Sequence, residues 1–511
     1  MELFTKVAEE TKIFEKLNAM ASGEKINITE NRSVLHVALR KPKEDSLVVG
    51  DTDVVKDVNE VLDRIQKFST AVRDGTFKGH SGKKLKNIVA IGIGGSFLGP
   101  DFVSEALKHD AACNEASKGM NIRFLANVDP TDFYRATDGL DVEETLYVIV
   151  SKTFTTAETM LNARTCRNHI LAHYKKANPD AQEAAVLAQH LCAVSTNLKS
   201  TKEFGIMDEN VFGFWEWVGG RFSVSSAVGV LPLSLLFGFE NVQQFLAGMN
   251  NVDKHLVAET DVAKNLPVLM GLIGVYNTYV AGFNSRSILP YSQALIRFAA
   301  HIQQLDMESN GKSVSKGGVR LPAGVETGPI IMGEPGTNSQ HSFFQLMHQG
   351  RVIPAEFIGF TKSQTPIDLE GEVVSNHQEL MSNFFAQPDA LAMGKDYDTL
   401  KAEGVPEHLH AHKLFPGDRP SLSLLFKGSL TAYNCGQLLA LYEHRVAVEG
   451  FLYDICSFDQ WGVELGKVLA KDVRKVLSSV HDGSTTKESA VPENKFNEST
   501  SFLLKTFVED M

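Results

Sequence analysis

The chain is poor in cysteine: five are spread over 511 residues, at positions 113, 166, 192, 435 and 456. The number is odd and no CxxC pair occurs, which excludes a disulfide framework and a cysteine-based zinc site and reads as the reduced thiols of an intracellular protein. Net positive charge is also missing. Fifty Lys and Arg stand against 62 Asp and Glu, a formal charge of −12. Bulk electrostatics then argue against nucleic acid as a partner, and an anionic substrate has to be held by local groups against the overall field. We find no uninterrupted apolar run of about 18 residues, the length a membrane-spanning helix needs. The first twenty residues, MELFTKVAEETKIFEKLNAM, place charges among apolar positions and are expected to form a helix, not a secretory signal. The ending Glu509-Asp510-Met511 matches no address or lipid anchor. These absences lead us to expect a cytoplasmic protein with no membrane partner.

Two nucleotide signatures fail. After Gly92 and Gly94 a GxGxxG fingerprint needs a third glycine at position 97, which is Phe97, and no GK[ST] ending makes a P-loop. We therefore expect no cofactor. The triplet His408, His410 and His412 would share one face of a strand, but Pro406, Pro416 and Pro420 mark the region as loop, and no metal site is expected.

What is present is the composition of a globular protein, 43% hydrophobic and 22% charged, long enough for roughly two to four domains. From residue 87 short apolar runs alternate with helical spacing. Asn87–Ile93, 122–128, 146–150 and 191–195 read as strands. The stretch 101–109 and the stretch 156–175, with Ala163, Cys166, Ile170 and Tyr174 three or four apart, read as helices. The second half repeats the style without repeating the sequence: strands at 287–291, 328–332 and 352–360, and helices at 265–280, 294–304 and 339–348. Ser421 to Gly450 is expected to be one long helix, and 482–501 a polar arm ending in the amphipathic FLLKTF, whose apolar side would dock on another surface. Alternation of this kind predicts an α/β fold with mainly parallel sheets covered on both faces.

Six segments carry residues suited to chemistry. IGIGGSFLGP, 91–100, joins a strand end to a helix, where glycines admit a ligand to backbone amides and the helix start favours an anion; an ordinary tight turn is the alternative. SKTFTTAET, 151–159, sets Ser151, Thr153, Thr155 and Thr156 at a second strand-to-helix junction, more hydroxyls than capping requires, which favours a phosphate cup. In EWVGGRFSVSSAVG, 216–229, Arg221 follows Gly219-Gly220 and is either a buried ion-pair member or an anion clamp. In QQLDMESNGK, Gln304 and Glu308 are four apart and would face the same way on a helix. GEPGTNSQH ends in His341. In FDQWGVELGK, Gln460 and Lys467 are two helical turns apart and would share a face.

Together and in this order, GIGGS, SKTFTT, VGGRFS, MESNGK, GEPGTNSQH and FDQWGVELGK resemble the phosphoglucose isomerase family, and the resemblance covers nearly the whole chain. It implies two α/β/α sugar-isomerase domains with helical terminal segments, divided here as 1–55, 56–228, 229–450 and 451–511, assembled as a homodimer. It implies that Gly95, Ser96, Ser151, Lys152, Thr153 and Thr156 hold a sugar phosphate and that Glu308 moves a proton between C2 and C1. Arg221 would face the enediolate beside Gly220, His341 and Lys467 would open the sugar ring, and Gln304 and Gln460 would line the pocket. In the family the counterpart of His341 comes from the other subunit. The chain departs from the usual pattern at Tyr453 and Cys456, where tryptophan and asparagine are common, and at Phe222 and Ser225. The stretch VRLPAGVETGP is about two residues longer than in familiar members. A non-catalytic sugar-phosphate sensor, a nicotinamide oxidoreductase and a metal-dependent isomerase are the competing readings. The joint presence of Glu308, Arg221, His341 and Lys467 opposes the first, and Phe97 opposes the second.

Overall fold

A computed structural model describes all 511 residues and divides into two compact units, Met1–Phe458 and Asp459–Met511.

The first unit is built on two parallel sheets. Strands β1 (Asn87–Ile91), β2 (Asn121–Leu125), β3 (Thr145–Val150), β4 (Leu191–Val194) and β5 (Val211–Phe212) lie in the order β2-β1-β3-β4-β5. All residues of β1, β3 and β4 are buried, as apolar strands of a parallel sheet covered on both faces should be. The second sheet contains β6 (Ser285–Pro290), β7 (Ile330–Gly333), β8 (Ala355–Phe360) and β9 (Ser421–Phe426) in the order β9-β8-β6-β7. Parallel pairing brings the loops that leave neighbouring strands to one edge of the sheet, where open α/β sheets bind ligands. This applies to the loops after β1 and β3, paired at Ile91 and Ile149, and to those after β6 and β8, paired at Pro290 and Ile358.

The core is dominated by the helix Ala432–Leu452, buried along nearly its whole length, and by the helix Phe239–Ala258 packed against it. Two glycines allow this close approach. A Cβ on Gly248 would overlap the carbonyl of Tyr433, and one on Gly436 would overlap that of Phe245. The buried charges around these helices are paired. Arg40 donates to Asp253 and Glu443 at 2.6 Å each. Arg286 meets Asp306 and Glu449 at 2.8 Å, and Arg445 meets Glu356 at 2.5 Å and Glu449 at 2.9 Å. Removing an arginine from such a cluster leaves buried carboxylates without a counter-charge, at a cost of about 3–5 kcal/mol.

Four local readings of the sequence are corrected. Ser421–Gly450 is not one helix. Residues 421–426 form the edge strand β9, a turn follows, and the helix starts at Ala432 behind Thr431, whose side chain accepts from the Asn434 amide. The alternation SLSLLF is short enough to suit either period, and pairing with β8 decides it. The N-terminal stretch is two helices, Glu2–Glu10 and Ile13–Ser22, broken where Lys12 takes a left-handed φ of 53°. The stretch 220–237 does reach the length and hydropathy of a spanning helix, but 94% of it is buried in the protein interior, as a core helix is. The histidine triplet, read as loop, lies on short helical turns, 407–409 and 410–413.

In the second unit, the helices Glu464–His481 and Glu498–Asp510 pack through Val476, Ala490, Val491, Leu504 and Val508. FLLKTF is thus part of a thirteen-residue helix.

Candidate active site

Glu308 ends a π-helical turn, Gln304–Glu308, that continues the helix Phe298–Gln303. Such wide turns are rare and are frequent at functional sites. The expectation that Gln304 and Glu308 face the same way holds, since Gln304 Nε2 donates to Glu308 Oε2 at 3.2 Å. Arg221 approaches from the loop after β5. Its Nη1 donates to Glu308 Oε2 at 3.1 Å, its Nε to Ser309 Oγ at 2.6 Å and its Nη2 to the Ser457 carbonyl at 2.5 Å. The Arg221 side chain is 1% exposed and that of Glu308 22%. The guanidinium is therefore a fixed wall, and the carboxylate is the member of the pair that reaches the open side. Ser457 Oγ donates to Asn310 Oδ1 at 2.8 Å, and Asn310 Nδ2 donates to the Val446 carbonyl at 3.1 Å, which ties this wall to the central helix.

The glycines of 91–100 serve packing as well as access. A Cβ on Gly95 would overlap the backbone of Gly220, and one on Gly99 would press on Val224. The first motif is thus seated directly on the loop that carries Arg221. Gly94 needs its left-handed φ of 59°. Ser96 closes the 3-10 turn Gly94–Ser96, just before the helix Leu98–Leu107.

In 151–156 the chain bends at Phe154, whose φ of 56° is unusual for a bulky residue and whose ring is buried against Phe204. The bend exposes Thr153 and Thr155, with their hydroxyls 2.7 Å apart. Thr156 is the N-cap of the helix Ala157–Ala177, yet its side chain makes no capping bond. Ordinary capping therefore does not account for that hydroxyl. Ser151 is buried, with its Oγ 3.5 Å from Thr156 Oγ1. Lys152 donates to the carbonyls of Glu216 and Val218 at 3.1 and 3.3 Å, and burial pushes its pKa down. It links the second motif to the third.

His341 closes the turn Asn338–His341 after β7 and is exposed. Gln460 and Lys467 belong to the second unit. Gln460 stands ahead of the turn Trp461–Val463, with an extended φ of −150°, while Lys467 lies exposed on the helix Glu464–His481. The two do not share a helical face as their spacing suggested. Sequence reading also passed over Ser309 and Ser457, which hold Arg221. Ser309 lies inside a quoted motif and Ser457 just ahead of another, but a serine carries no local mark of such a role. No group of three or more His, Cys, Asp or Glu side chains is arranged to hold a metal ion.

A carboxylate held against a fixed guanidinium, and a hydroxyl-rich loop leaving the end of a parallel strand, suit sugar-phosphate chemistry, and the relatives of this chain put it in the class of intramolecular aldose–ketose isomerases. Residues 1–502 match the family described as phosphoglucose isomerase, and the chain belongs to that family. It is 57% identical over 509 residues to a protein of Arabidopsis thaliana named cytosolic glucose-6-phosphate isomerase, covering 100% of this chain and 88% of the relative. Cytosolic glucose-6-phosphate isomerase B of Oryza sativa subsp. japonica is likewise 57% identical, over 508 residues, with coverage of 99% and 86%. The crystal structure of a glucose-6-phosphate isomerase from Chlamydia trachomatis superposes with a TM-score of 0.82 at 32% identity, covering 99% of this chain and 89% of that one.

Proposed function

We propose that the chain interconverts glucose 6-phosphate and fructose 6-phosphate in the cytosol, as a step of glycolysis and gluconeogenesis, by ring opening and proton transfer through a cis-enediolate. Glu308 takes the proton from C2 and returns it to C1. General base catalysis of this kind is worth about 10²–10⁴-fold. Arg221 meets the negative charge that develops on the enediolate oxygen. Because that charge exists only during reaction, a preset cation there raises the rate and not merely the affinity. Ser96 with Gly95, and Ser151, Lys152, Thr153 and Thr156, hold the phosphate. Its binding energy places C1 and C2 beside the base. His341 and Lys467 serve ring opening, a task that suits an imidazole near neutral pH. Gln304 and Gln460 line the pocket. Hydrogen moves only within the substrate, so the reaction calls for no redox cofactor.

The observation that carries this reading is the 3.1 Å approach of Arg221 to the more exposed Glu308, with the other guanidinium nitrogens occupied by Ser309 and Ser457. We further propose a homodimer in which His341 of the partner subunit completes each site, and the segmentation 1–55, 56–228, 229–450 and 451–511. The second unit exposes Trp461, Leu465, Leu469, Phe502, Leu503 and Phe507, apolar area that a second copy could cover.

The test is conversion of fructose 6-phosphate to glucose 6-phosphate in EDTA by wild type and Glu308→Gln. A fall of about 10²-fold or more in the variant, some 3 kcal/mol of barrier, supports both the reaction and the base. Equal activity would remove Glu308 from the base role. An inactive, folded wild type would reject the reading.

A further inference from the structure

The second sheet repeats the geometry of the first at the place where the first carries its hydroxyl-rich loop. The outgoing strands correspond through their neighbours. β3 ends at Val150 paired with Val194, and β8 ends at Phe360 paired with Phe426. The next residue in each case donates its amide back to the neighbour's last carbonyl, Ser151 to Val194 at 3.1 Å and Thr361 to Phe426 at 3.0 Å. The lysine that follows bonds two residues further along. The Lys152 carbonyl accepts from the Thr196 amide at 3.0 Å, and the Lys362 amide donates to the Gly428 carbonyl at 3.1 Å. With the frame fixed in this way, Ser151-Lys152-Thr153-Phe154-Thr155 overlies Thr361-Lys362-Ser363-Gln364-Thr365. Both read hydroxyl, lysine, hydroxyl, spacer, threonine. The third and fifth positions are tied in both loops, Thr153 to Thr155 hydroxyl to hydroxyl at 2.7 Å, and Ser363 Oγ by accepting from the Thr365 backbone amide at 3.1 Å. The strand beside each loop also leads into a 3-10 turn and then a helix: Gly94–Ser96 and Leu98–Leu107 after β1, Gln293–Leu295 and Phe298–Gln303 after β6.

This second loop opens on a cavity of about 330 Å³ lined by Lys362, Ser363, Thr365, Ser292 and Gln293, at the lower end of the range for small-molecule pockets. The Lys362 side chain is exposed and makes no ion pair. Two imidazoles join it, His109 and His377, and the His377 Nε2 is shielded from solvent without a hydrogen-bond partner. The facing carboxylate is Glu105. A lysine, two imidazoles and loop hydroxyls suit a phosphate monoester. Glu105 and Gln293 suit the hydroxyl groups of a polyol. No arginine lines the cavity, so nothing corresponds to Arg221, and binding there would not lead to turnover.

We propose that this cavity is a second, non-catalytic sugar-phosphate site. The inference rests on reading 151–156 as the phosphate cup of the active site. The experiment is calorimetric titration with sorbitol 6-phosphate, which cannot isomerise, of wild type, Lys362→Glu and Thr153→Glu. Both substitutions fall on exposed side chains. The expected result is two sites per chain in wild type and one in each variant, with isomerase activity kept in Lys362→Glu and lost in Thr153→Glu. A single site in wild type that Lys362→Glu leaves intact would overturn the second site while leaving the first untouched. Unchanged binding and activity in Thr153→Glu would instead overturn the reading of 151–156. Inorganic phosphate, titrated separately, is expected to bind the second site at least tenfold more weakly. Equal affinity would reject the sugar-phosphate assignment.

Discussion

Arg221 and Ser457, 236 residues apart, are joined by a 2.5 Å hydrogen bond from Nη2 to the serine carbonyl. With the 2.6 Å bond from Nε to Ser309, it fixes the plane of the guanidinium before any substrate arrives. A planar donor held at two nitrogens loses little freedom when charge develops in front of it.

Ser309→Ala removes one of these restraints. Hydrogen bonds to charged groups contribute about 1.5–3 kcal/mol. The expected result is a fall in kcat of roughly tenfold or more with KM nearly unchanged, because the loss is felt where charge develops. A change confined to KM would count against the positioning role.

Gly95→Ala places a methyl group against the Gly220 backbone, and backbone cannot move aside as a flexible side chain can. The loop bearing Arg221 must shift, and small misplacements of catalytic groups cost about 10²-fold. The variant is expected to lose most of its kcat/KM while its melting temperature falls by only a few degrees. Activity within a factor of two of wild type would show that the contact is not tight.

His301 is buried against Phe102, neither ring nitrogen has a partner, and burial pushes its pKa down to about 4 from 6.5. The unfolded chain therefore takes up a proton that the folded chain refuses, and stability is lost as pH falls from 6.5 towards 4. His36 is shifted well down for the same reason, burial first and then the charge of Arg40. Thermal melts of His301→Phe are expected to match wild type at pH 7 and to exceed it increasingly below pH 6. A constant difference across that window would refute the assignment.

Asp306 lies two residues from Glu308 on the same turn. Burial, followed by the charge of Glu449, raises its pKa to about 7 against the pull of Arg286. The sign is opposite to that of the histidines. The unfolded carboxyl ionises first, so this residue lowers stability as pH rises from the ordinary carboxylate range through about 7. Asp306→Asn should equal wild type near pH 4 and melt above it at pH 8. A variant that is less stable at pH 8 would mean that the ionised form is the one Arg286 holds.

Deleting residues 483–511 removes Ala490, Val491, Leu504 and Val508 from around Val476. The truncated chain is expected to lose both dimer and activity, as read by light scattering and by the coupled assay. Unchanged assembly and rate would exclude this segment from the interface.

Much of this protein was legible in the chain because the relevant signals are local. The apolar runs that became β1, β3 and β4 needed no distant partner to be recognised. The glycines at 92–95 and the hydroxyls at 151–156 sit where a strand gives way to a helix, and residue order alone locates such junctions. The tie between Gln304 and Glu308 follows from helical spacing. Other features depended on distant contacts. SLSLLF became β9 because β8 offered it a ladder. Gly95 is a glycine because Gly220 passes beside it, and Ser309 and Ser457 gained a role only when Arg221 arrived between them. The likeness of 361–365 to 151–155 is too degenerate to detect in sequence and became visible only once two sheets supplied a common frame. Hydrogen-bond and hydrophobic periods along one segment are written in neighbouring residues, whereas close approach, burial and charge pairing are properties of segments hundreds of residues apart, and only the folded chain brings those together.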